Sequence, residues 1–405
     1  VSTTGTNLQL FGVFIHLAVA STGVEQGPFA IEGLLAWGGR LVRGAVVIEE
    51  GHIREVVTGE RLALPARVLR AEVVSPGLID LQVNGAFAQP VGPDAGALRV
   101  LAERLPSTGV TAYLPTVISS PAAAYPPIFD AFARAREGSG AAALGLHLEG
   151  PYLSLAKAGA HPTDAIRGAA PALLERLLEP KCVKLMTLAP ELPGALERIA
   201  TLRDHGVLAS LGHTDATQEQ LIAGIEAGGA MATHLYNAMS VFSPRAPGAI
   251  GAVLTDGRIT AGLIADGVHC DPSAVKLAIR AKGSSGVCLV SDAVAAAGMG
   301  PGDFALGPQR VISDGRSVRL ADGTLAGSTL TLDQAVRNAM AFAAIGFADA
   351  LTMATEVPAR LLGLRSKGKL ERGGDADLVL WNRAHQVTAT FVGGKQVYAR
   401  APSPP

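Results

Sequence analysis

Cysteine is scarce in this chain: Cys182, Cys270 and Cys288 are far apart, odd in number and never arranged as C-x-x-C. That spacing argues against a disulfide framework and a cysteine zinc site, and makes a reducing cytoplasm the expected setting. Aromatic residues are also few, at 4%, against 48 glycines, so the core must be built mainly from aliphatic side chains. Net charge is nearly absent: 34 basic and 35 acidic residues give −1. Bulk electrostatics therefore offers no case for a nucleic-acid or membrane partner. No G-x-x-x-x-G-K-S/T loop occurs, so any phosphate must be held by other means. No Lys or Arg precedes Arg40, and the apolar stretch from Leu10 to Ala20 thus lacks the positive region that a secretory signal needs. At about a dozen residues it is also short for a bilayer core of ~30 Å. Residues 1–32 are read instead as an N-terminal extension that need not be ordered.

What is present is a large aliphatic core, with 48% hydrophobic and 17% charged residues. Eight apolar, strand-like runs can be marked: 73–84, 110–119, 142–150, 183–189, 207–212, 230–234, 259–265 and 286–291. Helical patterns lie between most of them, and 331–364 supplies a closing helical stretch. Strands alternating with helices argue for parallel βα units, and eight of them for a (β/α)8 TIM-like barrel spanning 75–367. An open doubly wound sheet lacks support, because no glycine fingerprint follows the first strand. The flanks, 33–74 and 368–400, show short alternating strands with turns. They are expected to join as one small β-sandwich domain of an α/β protein.

Four of the apolar runs end in a metal-grade or acid–base side chain: Leu146-His-Leu-Glu149, Ser210-Leu-Gly-His213, Ala232-Thr-His234 and Cys288-Leu-Val-Ser-Asp292. A polar residue that ends a buried strand points out of the barrel mouth, where barrel active sites lie. One carboxylate and two imidazoles suit a divalent, zinc-like ion with an open position, and a fourth, unligated acid suits proton transfer. Other strand ends offer Asp80, Gln82, Asn84, His147, Tyr236, Asn237, Asp266 and His269. Taken singly, a strand-end histidine is more often a structural residue, and Asp292 could simply cap a helix. Four together point to a metal-dependent hydrolase.

The longer segments Pro76-Gly-Leu-Ile-Asp-Leu-Gln-Val-Asn-Gly85, His147-Leu-Glu-Gly-Pro-Tyr152, Lys157-Ala-Gly-Ala-His161, Thr233-His-Leu-Tyr-Asn-Ala-Met239, Ala265-Asp-Gly-Val-His269 and Val290-Ser-Asp-Ala293 resemble the N-acetylglucosamine-6-phosphate deacetylase family of the amidohydrolase superfamily. The resemblance runs from about Gly33 to Tyr398. It implies that Glu149, His213 and His234 hold one divalent ion per subunit, with zinc expected, and that Asp292 is the acid–base residue. Many superfamily members carry His-x-His on the first strand to hold a second metal. Here Gln82-Val-Asn84 stands there, which implies a single-metal site with Gln82 and Asn84 as supporting or vestigial positions.

By the same resemblance Asn237 and Ala238, with Arg245 and His269, receive the substrate phosphate. Asp266, Ala160, His161 and the Leu325-Ala326-Gly327 backbone join the substrate contacts. Arg245 is implied to reach a neighbouring active site, so a homodimer is expected; read alone, it is as well explained as a solvated loop charge. The implied reaction is hydrolysis of N-acetyl-D-glucosamine 6-phosphate to D-glucosamine 6-phosphate and acetate. The alternatives are the N-acetyl-D-galactosamine 6-phosphate epimer, or a non-catalytic scaffold, which would be expected to lack ligands that are all present here. His147 and His205 match no role and are read as structural.

Overall fold

The second marked run shows why these residues make strands. Val110–Ile118, rich in β-branched and apolar side chains, is buried at all nine positions. Leu78–Val83 is likewise buried throughout. Strands covered on both faces belong in a parallel barrel wrapped by helices. The computed structural model describes residues 27–59, 64–135 and 138–401, so residues 1–26 of the expected extension, including Leu10–Ala20, lie outside the described residues.

Eight parallel strands follow one another in chain order: Leu78–Val83, Val110–Ile118, Leu146–Glu149, Val183–Leu188, Leu208–Leu211, Met231–Ala232, Thr260–Leu263 and Val287–Leu289. They are called the first to the eighth strand below. The ring is completed between its ends by single contacts rather than a full ladder. Asn84 N donates to Ala293 O at 2.7 Å, and Ser291 N donates to Asp80 Oδ1 at 3.2 Å. Asp80 is thus a closure residue; burial pushes its carboxyl up to about 6 against the lowering hydrogen bonds of Ser291 and Gln82.

Three of the outer helices begin where side chains satisfy their free N–H groups. Asp94 accepts from Gly96 N ahead of Ala95–Arg104, Asp271 accepts from Ser273 N ahead of Pro272–Lys282, and Thr217 with Gln220 forms a reciprocal box ahead of Gln218–Ala227. Each such cap contributes about 1 kcal/mol.

Both chain ends join one seven-stranded sheet, in the order Lys395–Ala399, Val387–Val392, Leu378–Trp381, Arg67–Pro76, Phe29–Trp37, Arg40–Glu49, His52–Thr58. Phe29 and Phe391 lie three strand spacings apart along it, roughly 14 Å if it were flat. Their ring centroids are 6.2 Å apart. The sheet therefore curls until its halves face each other across a shared core of Ile31, Leu35, Ile48, Val74, Leu378 and Phe391. It meets the barrel where Trp381 packs edge-on against Phe347 of the closing helices, centroids 5.3 Å apart.

Two boundaries differ from the sequence reading. The sheet begins at Phe29, so 29–32 is not part of an extension: each residue of that segment is in register with both Arg40–Glu49 and Arg67–Pro76. The run 73–84 is two strands, Arg67–Pro76 in the curled sheet and Leu78–Val83 in the barrel, divided at Gly77, where Thr111 leaves no room for a Cβ. A further feature went unmarked. After the eighth strand a small antiparallel sheet, Gly302–Leu306, Gln309–Ser313 and Val318–Arg319, folds over the barrel mouth.

Candidate active site

Glu149 is the last residue of the third strand, while His213, His234 and Asp292 follow the ends of the fifth, sixth and eighth. The last three share a local conformation, with φ of +49°, +31° and +48°. Left-handed backbone in a non-glycine residue is uncommon and costs on the order of 1–3 kcal/mol. Here it turns the chain out of the strand while keeping the side chain at the barrel mouth, and all four residues are buried.

The donor atoms form a tight triangle. His234 Nε2 lies 3.0 Å from Glu149 Oε1, His213 Nε2 lies 3.2 Å from the same oxygen, and the two nitrogens are 3.1 Å apart. A tetrahedral ion with bonds of about 2.0 Å spaces its ligands by roughly 3.3 Å, so the triangle has the size of one face of such a site. The tautomer agrees for His213, whose Nδ1 donates to Lys157 O at 2.8 Å and leaves the Nε2 lone pair facing the triangle. Among the described residues this is the one group of three or more metal-grade side chains gathered in this way. Burial acts to raise the Glu149 pKa, but contacts from His161, His213 and His234 outweigh it and hold the carboxyl well below its ordinary range.

Asp292 sits beside the triangle. Burial, then the negative charge of Glu149, push its carboxyl well above the ordinary range. Two amides hold one of its oxygens: Asn84 Nδ2 at 2.8 Å and Gln82 Nε2 at 3.0 Å, both to Oδ1. Gln82 Nε2 also donates to Glu149 Oε1 at 3.0 Å, so one side chain braces both carboxylates.

His161 completes the cluster. Its Nδ1 accepts from Ser119 N at 3.1 Å, which places the proton of the neutral ring on Nε2, 3.7 Å from Glu149 Oε2. Burial, then the neighbouring His213, lower its pKa to about 4. It is therefore a neutral donor aimed into the site.

These groups line a cavity of about 310 Å³ whose walls also include Asn84, Ala160, Asn237, Ala238, His269, Leu325 and Gly327. Three of the expected contact residues are not among those lining this cavity. Ala326 is fully buried in the cluster beneath the small sheet, with its N–H bonded to Val318 O. Asp266 lies behind the wall: its Oδ2 is 2.7 Å from His269 Nδ1 and its Oδ1 accepts from Val268 N and His269 N. Arg245, expected to reach a neighbouring site rather than its own, is exposed on its loop. Conversely, Ile118, Lys157 and Leu306 line the cavity without having been singled out as site residues. Lys157 had a signal in the motif it opens; Leu306 had none, since its approach depends on the fold of a distant hairpin.

His147, read as structural, is buried in the barrel beneath the ligands. Its Nε2 meets Thr187 Oγ1 at 2.8 Å, and the chain continues to Thr233 Oγ1 at 2.7 Å and Ser210 Oγ at 2.6 Å. His205 Nδ1 donates to Thr201 O at 2.8 Å at a helix end. A larger groove of about 400 Å³ lies outside the barrel, between the helices Tyr125–Ala135 and Leu173–Leu178, away from the triangle.

A parallel barrel with Glu, His and His at the mouths of the third, fifth and sixth strands and a separate carboxylate beside them defines a metal-dependent hydrolase scaffold. The chain belongs to the amidohydrolase family, whose model matches residues 73–397. Within it the chain falls among the N-acetylglucosamine-6-phosphate deacetylases. It is 37% identical to that enzyme of Bacillus subtilis over 366 residues, covering 87% of this chain and 92% of the relative. The crystal structure of the Pasteurella multocida N-acetylglucosamine-6-phosphate deacetylase is similar with a TM-score of 0.87 at 30% identity, covering 92% of this chain and all of that one. A mutant of the Mycobacterium smegmatis enzyme in complex with N-acetyl-D-glucosamine-6-phosphate matches equally well, with a TM-score of 0.87 at 32% identity over 91% of this chain and 99% of that one.

Proposed function

We propose that this protein hydrolyses N-acetyl-D-glucosamine 6-phosphate to D-glucosamine 6-phosphate and acetate, in the breakdown and recycling of amino sugars. The observation that carries the reading is the pairing of a three-donor triangle with a braced, separate acid. A single amide nitrogen, Gln82 Nε2, lies 3.0 Å from both Glu149 Oε1 and Asp292 Oδ1, so ion and base would address the same small volume. The activity named for the relatives supports the same substrate.

Glu149, His213 and His234 would hold the divalent ion, which supplies Lewis acidity to the amide carbonyl and acidifies water. Asp292 accepts the proton of the attacking water as the new C–O bond forms. His161 Nε2–H donates to the carbonyl oxygen as charge gathers there. Asp292 then delivers its proton to the amide nitrogen, and the C–N bond breaks to leave acetate and the sugar amine. An amide nitrogen leaves poorly until protonated, so this second transfer matters as much as the first. Asn237 and Ala238, with His269 held by Asp266, would receive the sugar phosphate.

Zinc, one ion per subunit, is the proposed metal: two imidazoles and one carboxylate suit it, and Gln82 and Asn84 replace the imidazoles that a second ion would need. The proposed assembly is a homodimer in which Arg245 enters the neighbouring site. It is supported by the exposed apolar pair Val241 and Phe242, 79% and 52% accessible, on the same loop. A cytoplasmic setting is supported by the buried thiols of Cys270 and Cys288. Among the described residues no helix is long and apolar enough to cross a membrane.

The test is acetate release by the metal-loaded protein from N-acetylglucosamine 6-phosphate, its galacto epimer and unphosphorylated N-acetylglucosamine. The reading expects fast turnover of the phosphorylated gluco sugar. Faster turnover of the galacto epimer would move the substrate to that alternative, and activity on none of the three would overturn the assignment.

A further inference from the structure

The second strand ends at Ile118, an apolar residue that itself lines the site cavity. Ile118 stands in parallel register with Glu149 of the third strand, so it flanks the ligand triangle directly. Its neighbour Ser119 holds His161 through the 3.1 Å bond to Nδ1. Ile118 is therefore the apolar group beside both the metal-grade carboxylate and the neutral histidine donor. It shares one buried cluster with Ala160, Val294, Leu306, Val311 and Ala326.

The small sheet over the barrel mouth closes this corner from above. At its tip Gly307 has a φ of +53°, and a Cβ placed there would lie 3.0 Å from Ile118 Cγ1. The hairpin tip thus rests on the isoleucine side chain with no room for more. A second tether is Gln309 Nε2, which donates to Ala160 O at 3.3 Å. Leu306, next to the tip, lines the same cavity as Ile118 and Asp292.

The ring order fixes which end of a substrate meets this corner. Asn237, Ala238 and His269 follow the sixth and seventh strands, and the second strand lies opposite the sixth in a ring of eight. With a polar sugar on the Asn237 side and the reacting carbon beside the triangle, the remaining substituent of the carbonyl carbon is directed at Ile118. An apolar corner suits an alkyl group and offers nothing to a sugar hydroxyl.

We infer that Ile118, with Leu306 and Gly307 of the hairpin tip, forms the wall that receives the N-acyl group and limits it to acetyl. This rests on the deacetylase reading above. Each added methylene would have to displace the hairpin tip or the isoleucine, and one methylene misfit in an apolar pocket is worth about 10- to 200-fold in kcat/KM.

The experiment compares kcat/KM for N-acetyl, N-propionyl and N-butyryl glucosamine 6-phosphate in the metal-loaded wild type and in Ile118→Ala, Leu306→Ala and the conservative Ile118→Val. The wild type is expected to favour acetyl over propionyl by about tenfold or more. Ile118→Ala and Leu306→Ala should each raise the propionyl-to-acetyl ratio by about tenfold, with Ile118→Val moving it less in the same direction. Ratios unchanged from wild type in variants that still release acetate would overturn the wall. A wild type that releases no acid from any of the three would instead remove the deacetylase reading on which the wall rests.

Discussion

Asn84 Nδ2 donates to Asp292 Oδ1 at 2.8 Å, and this bond leaves the other carboxylate oxygen as the one open to water. Removing the amide should let the acid rotate without disturbing the ligands. Asn84→Ala is expected to lower kcat by about 10- to 100-fold, the usual cost of losing a group that orients a reacting residue. Metal content measured on the same preparation should not change; its loss would mean that Asn84 serves the ion instead.

The pair Asp266 and His269 makes a second, separable prediction. Their 2.7 Å contact fixes the histidine ring, and His269 in turn lowers the Asp266 pKa against the burial that would raise it. Asp266→Ala frees the ring on the side of the cavity proposed above to receive the phosphate. KM for the phosphorylated sugar should rise by about tenfold or more while kcat falls less, as expected for a contact made equally in ground and transition states. A fall in kcat alone would place His269 in the chemistry rather than in binding.

Acid should destabilise the fold through His147. Burial lowers its pKa from 6.5 to about 4 against the raising influence of Glu149 and Leu81. Between those values the unfolded chain takes up a proton that the folded one refuses, so stability is lost as pH falls from about 6.5 to about 4. The contribution is on the order of 3 kcal/mol. Urea unfolding of the metal-free protein at pH 7 and pH 4.5 should show a smaller difference for His147→Gln than for wild type. An equal difference would mean that His147 is already protonated in the fold.

Lys367 ties the tail loop to the curled sheet, with Nζ 2.8 Å from Asp375 Oδ2 and 2.6 Å from Asp377 Oδ2. Burial alone would lower its pKa, but the two carboxylates raise it above the ordinary lysine value. Its contribution is present below that value and is lost only at strongly basic pH. Lys367→Met leaves two carboxylates facing each other and should cost about 2–3 kcal/mol at pH 7, somewhat less than for a fully buried pair. Because protonation relieves the repulsion, the deficit in denaturant midpoint should shrink near pH 4; a deficit independent of pH would point to lost packing.

Much of this arrangement was legible because parallel strands buried on both faces need apolar runs, and a polar residue that ends such a run can only face the mouth. Glu149, His213, His234 and Asp292 were visible on that ground, and the structure brings them together. The sixth strand shows the limit: only Met231–Ala232 pairs as strand, yet His234 is still placed, because the turn after the strand matters more than its length. The left-handed turns at His213, His234 and Asp292 had no signal, since neither histidine nor aspartate requires them. Phe29 was missed because a strand at the start of the described chain looks like any apolar segment until its partners, more than ten residues on, are known. Asp266 and Ala326 are not among the residues lining the cavity for a related reason: a motif orders residues along the chain, whereas the cavity wall is chosen by backbone direction. The hairpin carrying Leu306 reaches the mouth only through contacts such as Gly307 on Ile118, far apart in sequence.

The central claim is a deacetylase that works with one ion at the Glu149–His213–His234 triangle. Its most direct test is to strip the protein with chelator and titrate zinc back while following acetate release from N-acetylglucosamine 6-phosphate. The account predicts no turnover without metal and a plateau at one equivalent per chain. A plateau that needs two equivalents, or acetate released by the stripped protein, would contradict it.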